Sequence, residues 1–148
     1  MGTVRLAVAT AVLFSISGPL IAALADARPT PTTIGFTSGS VRETFVTTPT
    51  GGIEEDVVIV PDAGAVVRLR SETRKRVKAF ARGNFVDPTN PHGDLVPGLR
   101  EMRRQWSKMH VRYEDVPKGA RVHYMTTDPV MVEALHQWFT ARAIKKMR

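Results

Sequence analysis

The chain contains no cysteine, which excludes disulfides, thiolate metal sites and thiol nucleophiles, and an oxidising compartment would place no demand on it. No G-x-S-x-G elbow is present, so serine hydrolase chemistry has no support in the sequence. None of the four histidines stands at HExxH or HxxxH spacing, which removes the common helical zinc motif. Beyond residue 27 no apolar run approaches the ~20 residues needed to span a bilayer.

An apolar run is present at the start. One basic residue, Arg5, precedes Leu6 to Leu24, interrupted by Ser15, Ser17, Gly18 and Pro19 and ending in Ala23-Leu24-Ala25-Asp26-Ala27. A basic start, an apolar core and small residues beside a breaker are the parts of a secretory signal peptide. Cleavage after Ala25 or Ala27 satisfies the pattern. Ala25 is favoured because Ala23 and Ala25 directly follow the core. An uncleaved anchor is the competing reading, against which Gly18-Pro19 and the alanine-rich end argue. The expected location is periplasmic or secreted. Loss of residues 1–25 leaves about 120 residues, enough for one modest core, with a formal net charge of +6 (20 − 14).

The stretch 109–125, MHVRYEDVPKGARVHYM, alternates Val111, Tyr113, Val122 and Tyr124 with polar residues around Val116-Pro117-Lys118-Gly119. That is the period-two pattern of a hairpin with one apolar face. With those four residues as loop, Asp115 pairs with Ala120, Tyr113 with Val122 and Val111 with Tyr124. His110, Arg112, His123 and Met125 then share the other face. Sliding this frame back 67 positions, so that Gly52 takes the place of Gly119, produces an earlier hairpin of Val41 to Thr48, Pro49-Thr50-Gly51-Gly52 and Ile53 to Val60. In that frame Thr44, Val46, Val57 and Ile59 face inward, and Glu43, Glu54 and Asp56 stand on the open face. Exposed strand charges are a simpler account of Glu54-Glu55-Asp56 than an acid/base pair. A Pro/Asp break and a helical stretch follow each hairpin.

The expected fold is α+β: two ββα repeats forming a four-stranded antiparallel sheet packed on two helices, with a Pro/Gly-rich loop and a short helix between them. Residues 26–40 read as a flexible lead-in, rich in Pro, Thr, Ser and Gly. Residues 41–148 read as one domain: repeat one 41–82, connector 83–108 and repeat two 109–148. A swapped homodimer would satisfy the same pattern.

The first helix is expected from Ala63 to Arg82, with Val66, Leu69, Val77 and Phe80 as its apolar stripe. Arg68, Arg70, Arg74, Lys75, Arg76 and Lys78 give it a basic surface that would suit an anionic envelope polymer or lipid. The plainer account is a solvated face whose stems cover apolar surface. No aromatic residues are interleaved for base stacking, and export disfavours chromosomal DNA. Leu99, Met102, Trp106 and Met109 suggest a short amphipathic helix. The last helix starts at Asp128-Pro129, a cap followed by a first-turn proline, and buries Val132, Leu135, Phe139 and Ala143.

The remaining chemistry falls to His92, His110, His123 and His136, with Met109, Met125 or Met131 as candidate soft ligands, Met125 standing beside the histidine pair of the second hairpin. His92-Gly93-Asp94 lies in a loop dense in turn residues, where function tends to reside. Imidazole and thioether suit copper or haem iron, although histidine pairs on exposed strands are common without metal. The expected function is an envelope ligand-, metal- or haem-binding or sensory domain, in which His92 and His136, with His110 or His123, meet at the junction of loop, sheet and last helix. The alternative is an interaction protein that binds through the basic helix.

FVDPTNPHGDLVPGL, RYEDVPKGARVHYMTTDP and VEALHQWFTAR resemble a family of small exported bacterial proteins of uncharacterised function, some of which carry the automatic name aspartate carbamoyltransferase. The resemblance covers roughly the second half of the chain clearly and the first repeat faintly. Carbamoyl transfer itself would need a Ser-Thr-Arg-Thr loop at a helix N-terminus and a His-Pro motif. Here Ser71-Glu72-Thr73-Arg74 falls inside a helix, whose interior amides are not presented to a phosphate, and no His-Pro pair exists.

Overall fold

The computed structural model describes residues 31–85 and 96–146. The proposed leader, His92 and Asp94 lie outside the described residues. Five strands, β1 (Thr33–Ser38), β2 (Val41–Thr48), β3 (Gly51–Val58), β4 (His110–Val116) and β5 (Gly119–Met125), form one antiparallel sheet in the order β1-β2-β3-β5-β4. The helices are α1 (Ala63–Phe80), α2 (Leu99–Arg104) and α3 (Pro129–Lys146), with a 3-10 turn at Trp106–Lys108. The fold is α+β. No helix among the described residues is long and apolar enough to cross a membrane.

The β4–β5 hairpin forms as its alternation dictates, with Val111 opposite Tyr124, Tyr113 opposite Val122 and Asp115 opposite Ala120. Val122 and Tyr124 are buried, and Val111 and Tyr113 pack partly against the core. Pro117-Lys118 makes the turn, Lys118 adopting a φ of 60°.

Two expectations are corrected. The sheet has five strands rather than four, because part of the supposed flexible lead-in is β1, paired with β2 from Thr33 opposite Val46 to Ser38 opposite Val41. The first hairpin also runs in the opposite phase. Thr48 pairs with Gly51 as Val116 pairs with Gly119, so Pro49-Thr50 alone make the turn and the offset between the hairpins is 68 positions, not 67. A slip of one residue sends every side chain to the other face. Glu43, Phe45, Glu54, Asp56 and Val58 are therefore buried, while Thr44, Val46, Ile53 and Val57 are half-buried on the open face. Two contacts hold this phase. Phe45 packs on Phe139 with ring centroids 4.9 Å apart, and a Cβ at Gly52 would lie 2.5 Å from the Phe139 ring, so only glycine lets α3 approach there.

Both long helices cover the same sheet face, and each lies chiefly over the hairpin it does not follow, α1 over β4–β5 and α3 over β1–β3. Asp62 caps α1 by accepting from the Ala65 amide (2.9 Å). Asp128 caps α3 by accepting from Val130 (2.9 Å) and Met131 (3.1 Å), satisfying amides that have no intrahelical partner. The α3 stripe is wider than Val132, Leu135, Phe139 and Ala143: Met131, Ala134 and Trp138 are also buried, and Val132 is half-buried. Phe80, Phe85, Tyr124, Trp138 and Phe139 form a chain of ring contacts between the helices and the sheet. Each such side chain contributes about 1.5–3 kcal/mol through burial. α2 buries Leu99 and Met102, whereas Trp106, in the turn after it, is 42% exposed. At Gly98, whose φ is 78°, the main chain comes so close to α3 that a Cβ would meet the Ala134 carbonyl oxygen at 1.9 Å.

Candidate functional site

The phase of the first hairpin carries three carboxylates into the core. Glu54 is completely buried. Its Oε2 accepts from the Tyr124 hydroxyl (2.7 Å), and its Oε1 lies 2.7 Å from Arg142 Nη1 and 3.0 Å from Arg76 Nη2. Arg76 also donates to Asp56 Oδ2 (3.2 Å), and Arg142 reaches Glu43 Oε2 (3.4 Å). The Arg142 guanidinium lies 4.9 Å from the ring centres of both Phe45 and Trp138, a placement that cation–π attraction favours.

Burial pushes the Glu54 carboxyl upward, but the charges of Arg142 and Arg76 and the bonds from Tyr124 and Arg142 outweigh it and bring it to about 2. Asp56 goes the other way, to about 7, because burial and the charges of Glu54 and Glu43 outweigh the attraction of Arg76 and Arg142. Burial, and then the Glu54 charge, hold the Tyr124 hydroxyl well above its usual value. Three carboxylates face two guanidiniums, and one proton on Asp56 balances the count. Among the described residues, Asp56 Oδ1 and Arg76 Nε have no hydrogen-bond partner. Ligand atoms of Glu43, Glu54 and Asp56 lie within 4.8 Å of one another, but the positive charge a cation would bring is already supplied by Arg76 and Arg142. The cluster is a closed ionic core, and neither cavity described below is lined by any of its members.

The open sites lie along the outer side of α3. One groove, about 570 Å³, is lined by Pro97, Glu133, His136, Gln137, Thr140, Ala141 and Ile144. A second, about 770 Å³, shares Pro97, Glu133 and Gln137 and continues past Arg100 and Val130. His136 Nε2 lies 2.9 Å from the Gly51 carbonyl oxygen. A carbonyl can only accept, so Nε2 carries the proton and, in the neutral ring, Nδ1 keeps the lone pair. Glu133, one turn earlier, accepts from the Gln137 amide (2.9 Å).

Among the described residues, the other expected histidines do not join His136. His110 stands opposite Met125, and His123 opposite Arg112, on the open face of the sheet, whereas His136 reaches Gly51 from the helix side. The sheet thus separates His110 and His123 from His136, correcting the expected convergence on one site. His123 Nε2 is 2.7 Å from Glu114 Oε2, and Arg121 bonds Glu55 (2.9 and 2.6 Å) beside it. Glu114 is held below the usual carboxylate range chiefly by the His123 hydrogen bond. These are cross-strand pairs worth a few tenths of a kcal/mol each.

Half of the basic helix is used internally. Arg70 donates to the Gly119 and Val116 carbonyls (2.9 and 2.8 Å), closing the end of the β4–β5 hairpin. Arg74 pairs with Asp115 (2.9 Å) and lies over Tyr113, and Arg76 belongs to the ionic core. Arg68, Lys75 and Lys78 are exposed, Arg68 sitting 3.5 Å from Asp62.

The expectations had not included Arg142, Tyr124 or Glu133 as site residues. Arg142 had a signal in the sequence, as a lone arginine one turn beyond Trp138 and Phe139 on the apolar stripe of α3. Comparison of the chain with family models, curated proteins and solved structures finds no match in any of the three.

Proposed function

We propose that the protein is an exported binding domain of the small-protein family it resembles, taking a transition-metal ion or a small ligand bearing one in the α3 groove. The observation that carries this reading is the His136 ring, which lines an open groove while its Nε2–H is committed to the Gly51 carbonyl. A backbone carbonyl on one ring nitrogen fixes the tautomer and orientation of an imidazole whose other nitrogen binds metal. Glu133 adds a carboxylate one turn away, and imidazole with carboxylate suits zinc, copper or nickel. Pro97, Ala141 and Ile144 provide apolar wall. Nδ1 is the ring nitrogen nearer the main chain, which crowds a flat macrocycle more than a bare ion, so this site favours an ion over haem.

Calorimetric titration of the purified protein with Zn²⁺, Cu²⁺, Ni²⁺ and hemin tests the reading. At least one ion is expected to bind, with affinity falling by at least about 10–100-fold in His136→Ala, since loss of a ligand costs no less than loss of a group that merely orients one, and by less in Glu133→Gln. Unchanged binding in His136→Ala would overturn it. A second reading rests on Arg68, Lys75 and Arg82, which recur every seven residues and are exposed on α1 and the turn after it. They would hold an anionic polymer or lipid surface, with binding that weakens as salt rises.

A further inference from the structure

The two edges of the sheet are guarded differently. At one edge β4 carries Arg112, Glu114 and Asp115, the charged residues by which natural edge strands resist pairing. The other edge, β1, reads Thr33-Ile34-Gly35-Phe36-Thr37-Ser38 and has no charge, no proline and no lysine. Its register with β2 runs without a bulge from Thr33 to Ser38, and among the described residues no strand lies on its outer side.

The hydrogen-bond phase of β1 fixes what that edge presents. Thr32 lies in line with the strand, its carbonyl accepting from the Thr47 amide (2.9 Å) and its own amide donating to Thr47 Oγ1 (2.9 Å). Main-chain groups alternate in direction along an antiparallel strand. Ile34, Phe36 and Ser38 therefore bond inward to β2, and Thr33, Gly35 and Thr37 turn their N–H and C=O groups outward. That outward set is symmetric about Gly35.

We infer that β1 pairs antiparallel with β1 of a second copy of this chain, across a two-fold axis at Gly35. Thr33 then faces Thr37 of the other copy, Gly35 faces its own equivalent, and each facing pair can exchange both main-chain bonds. The side chains agree with the same register. Ile34 comes opposite Phe36 on the helix face, where each already packs against its own core, and the two threonines pair on the open face. The axis is perpendicular to the sheet, so the helices of both copies stay on one side and a ten-stranded sheet results. Any extended strand offers the main-chain groups, but a second copy also brings, by symmetry, an equally uncharged edge and the Ile34–Phe36 and Thr33–Thr37 side-chain matches in the same register.

Sedimentation velocity of the purified protein over about a hundredfold range of concentration should show a monomer–dimer equilibrium, because a short two-strand interface obeys mass action in an accessible range. Hydrogen exchange should report it residue by residue. The amides of Thr33, Gly35 and Thr37 gain protection as concentration rises, while those of Ile34 and Phe36 are protected throughout. A Cβ at Gly35 meets nothing nearer than Thr44 Oγ1 at 3.6 Å, so Gly35→Lys and Gly35→Glu should leave the monomer folded. Each variant alone places like charges across the axis and should be monomeric at every concentration. An equimolar mixture of the two should recover the dimer. A wild type that stays monomeric over the whole range would overturn the inference, leaving the edge to another occupant. A dimer that persists in Gly35→Lys alone would overturn it equally.

Discussion

Raising the pH from about 5 to about 8 should loosen this protein, and Asp56 is the reason. Its carboxyl titrates near 7 in the fold against an ordinary value of 3.8, so the folded chain holds a proton that the unfolded chain releases. A group whose pKa is raised on folding contributes stability that is complete below its unfolded pKa and is lost as pH rises through its folded one. The whole interval corresponds to about 4 kcal/mol at 1.36 kcal/mol per unit, and roughly 2–3 kcal/mol of it falls between pH 5 and 8. Glu54 has the opposite sign. Held near 2 against an ordinary 4.5, it contributes stability that is present above pH 4.5 and lost as pH falls towards 2. The two groups together place the maximum at about pH 4, between the ordinary values of the two carboxyls. Urea denaturation at a series of pH values measures this directly, with the midpoint falling from pH 5 to 8. Asp56→Asn keeps the shape and fixes the neutral charge state, so its midpoint should be flat over that range and exceed the wild type at pH 8. A wild-type midpoint that is constant or rises from pH 5 to 8 would refute the reasoning, as would an Asn variant that keeps the slope.

Arg142→Met should retain contact with Phe45 and Trp138 but leave Glu54 and Glu43 short of a counter-charge, destabilising by about 3–5 kcal/mol in urea unfolding; a loss below about 1 kcal/mol would show that Arg76 alone satisfies the cluster. Gly52→Ala puts a methyl group against the Phe139 ring and should lower stability by about 1–3 kcal/mol, measured as a drop in Tm. An unchanged Tm there would mean that α3 can move outward freely.

The second hairpin was legible because its apolar alternation keeps one parity within each strand, Val111 and Tyr113 in β4 and Val122 and Tyr124 in β5, and the pairing brings both sets to one face. The first was not. In β3 one parity reads Ile53, Glu55, Val57 and the other Glu54, Asp56, Val58, so both carry charge and aliphatic side chains, and apolar counting prefers the first. The structure takes the second because Phe45 must meet Phe139, Gly52 must lie beneath that ring, and two arginines from different helices arrive to balance the buried carboxylates. The last of these conditions joins residues 20 to 99 positions apart, with Arg142 lying 88 positions from Glu54 and 99 from Glu43, out of reach of any local window. Strand β1 was hidden differently. Ile34 and Phe36 do alternate with Thr33, Gly35 and Thr37, but Gly35 and the surrounding Pro, Thr and Ser give the stretch the composition of a linker. His136 was legible as a candidate from its place on the last helix. Its Gly51 partner was not, because that contact depends on how α3 crosses back over the first hairpin.

Nitrogen-detected NMR of the histidine side chains during Zn²⁺ titration tests the proposed site most directly, because it reads each imidazole nitrogen separately. The account predicts that His136 starts as the Nε2–H tautomer, that its Nδ1 resonance moves on metal addition, and that Nε2 keeps its proton throughout. Movement confined to His110 and His123, with His136 unaffected, would contradict it and put metal binding on the open face of the sheet.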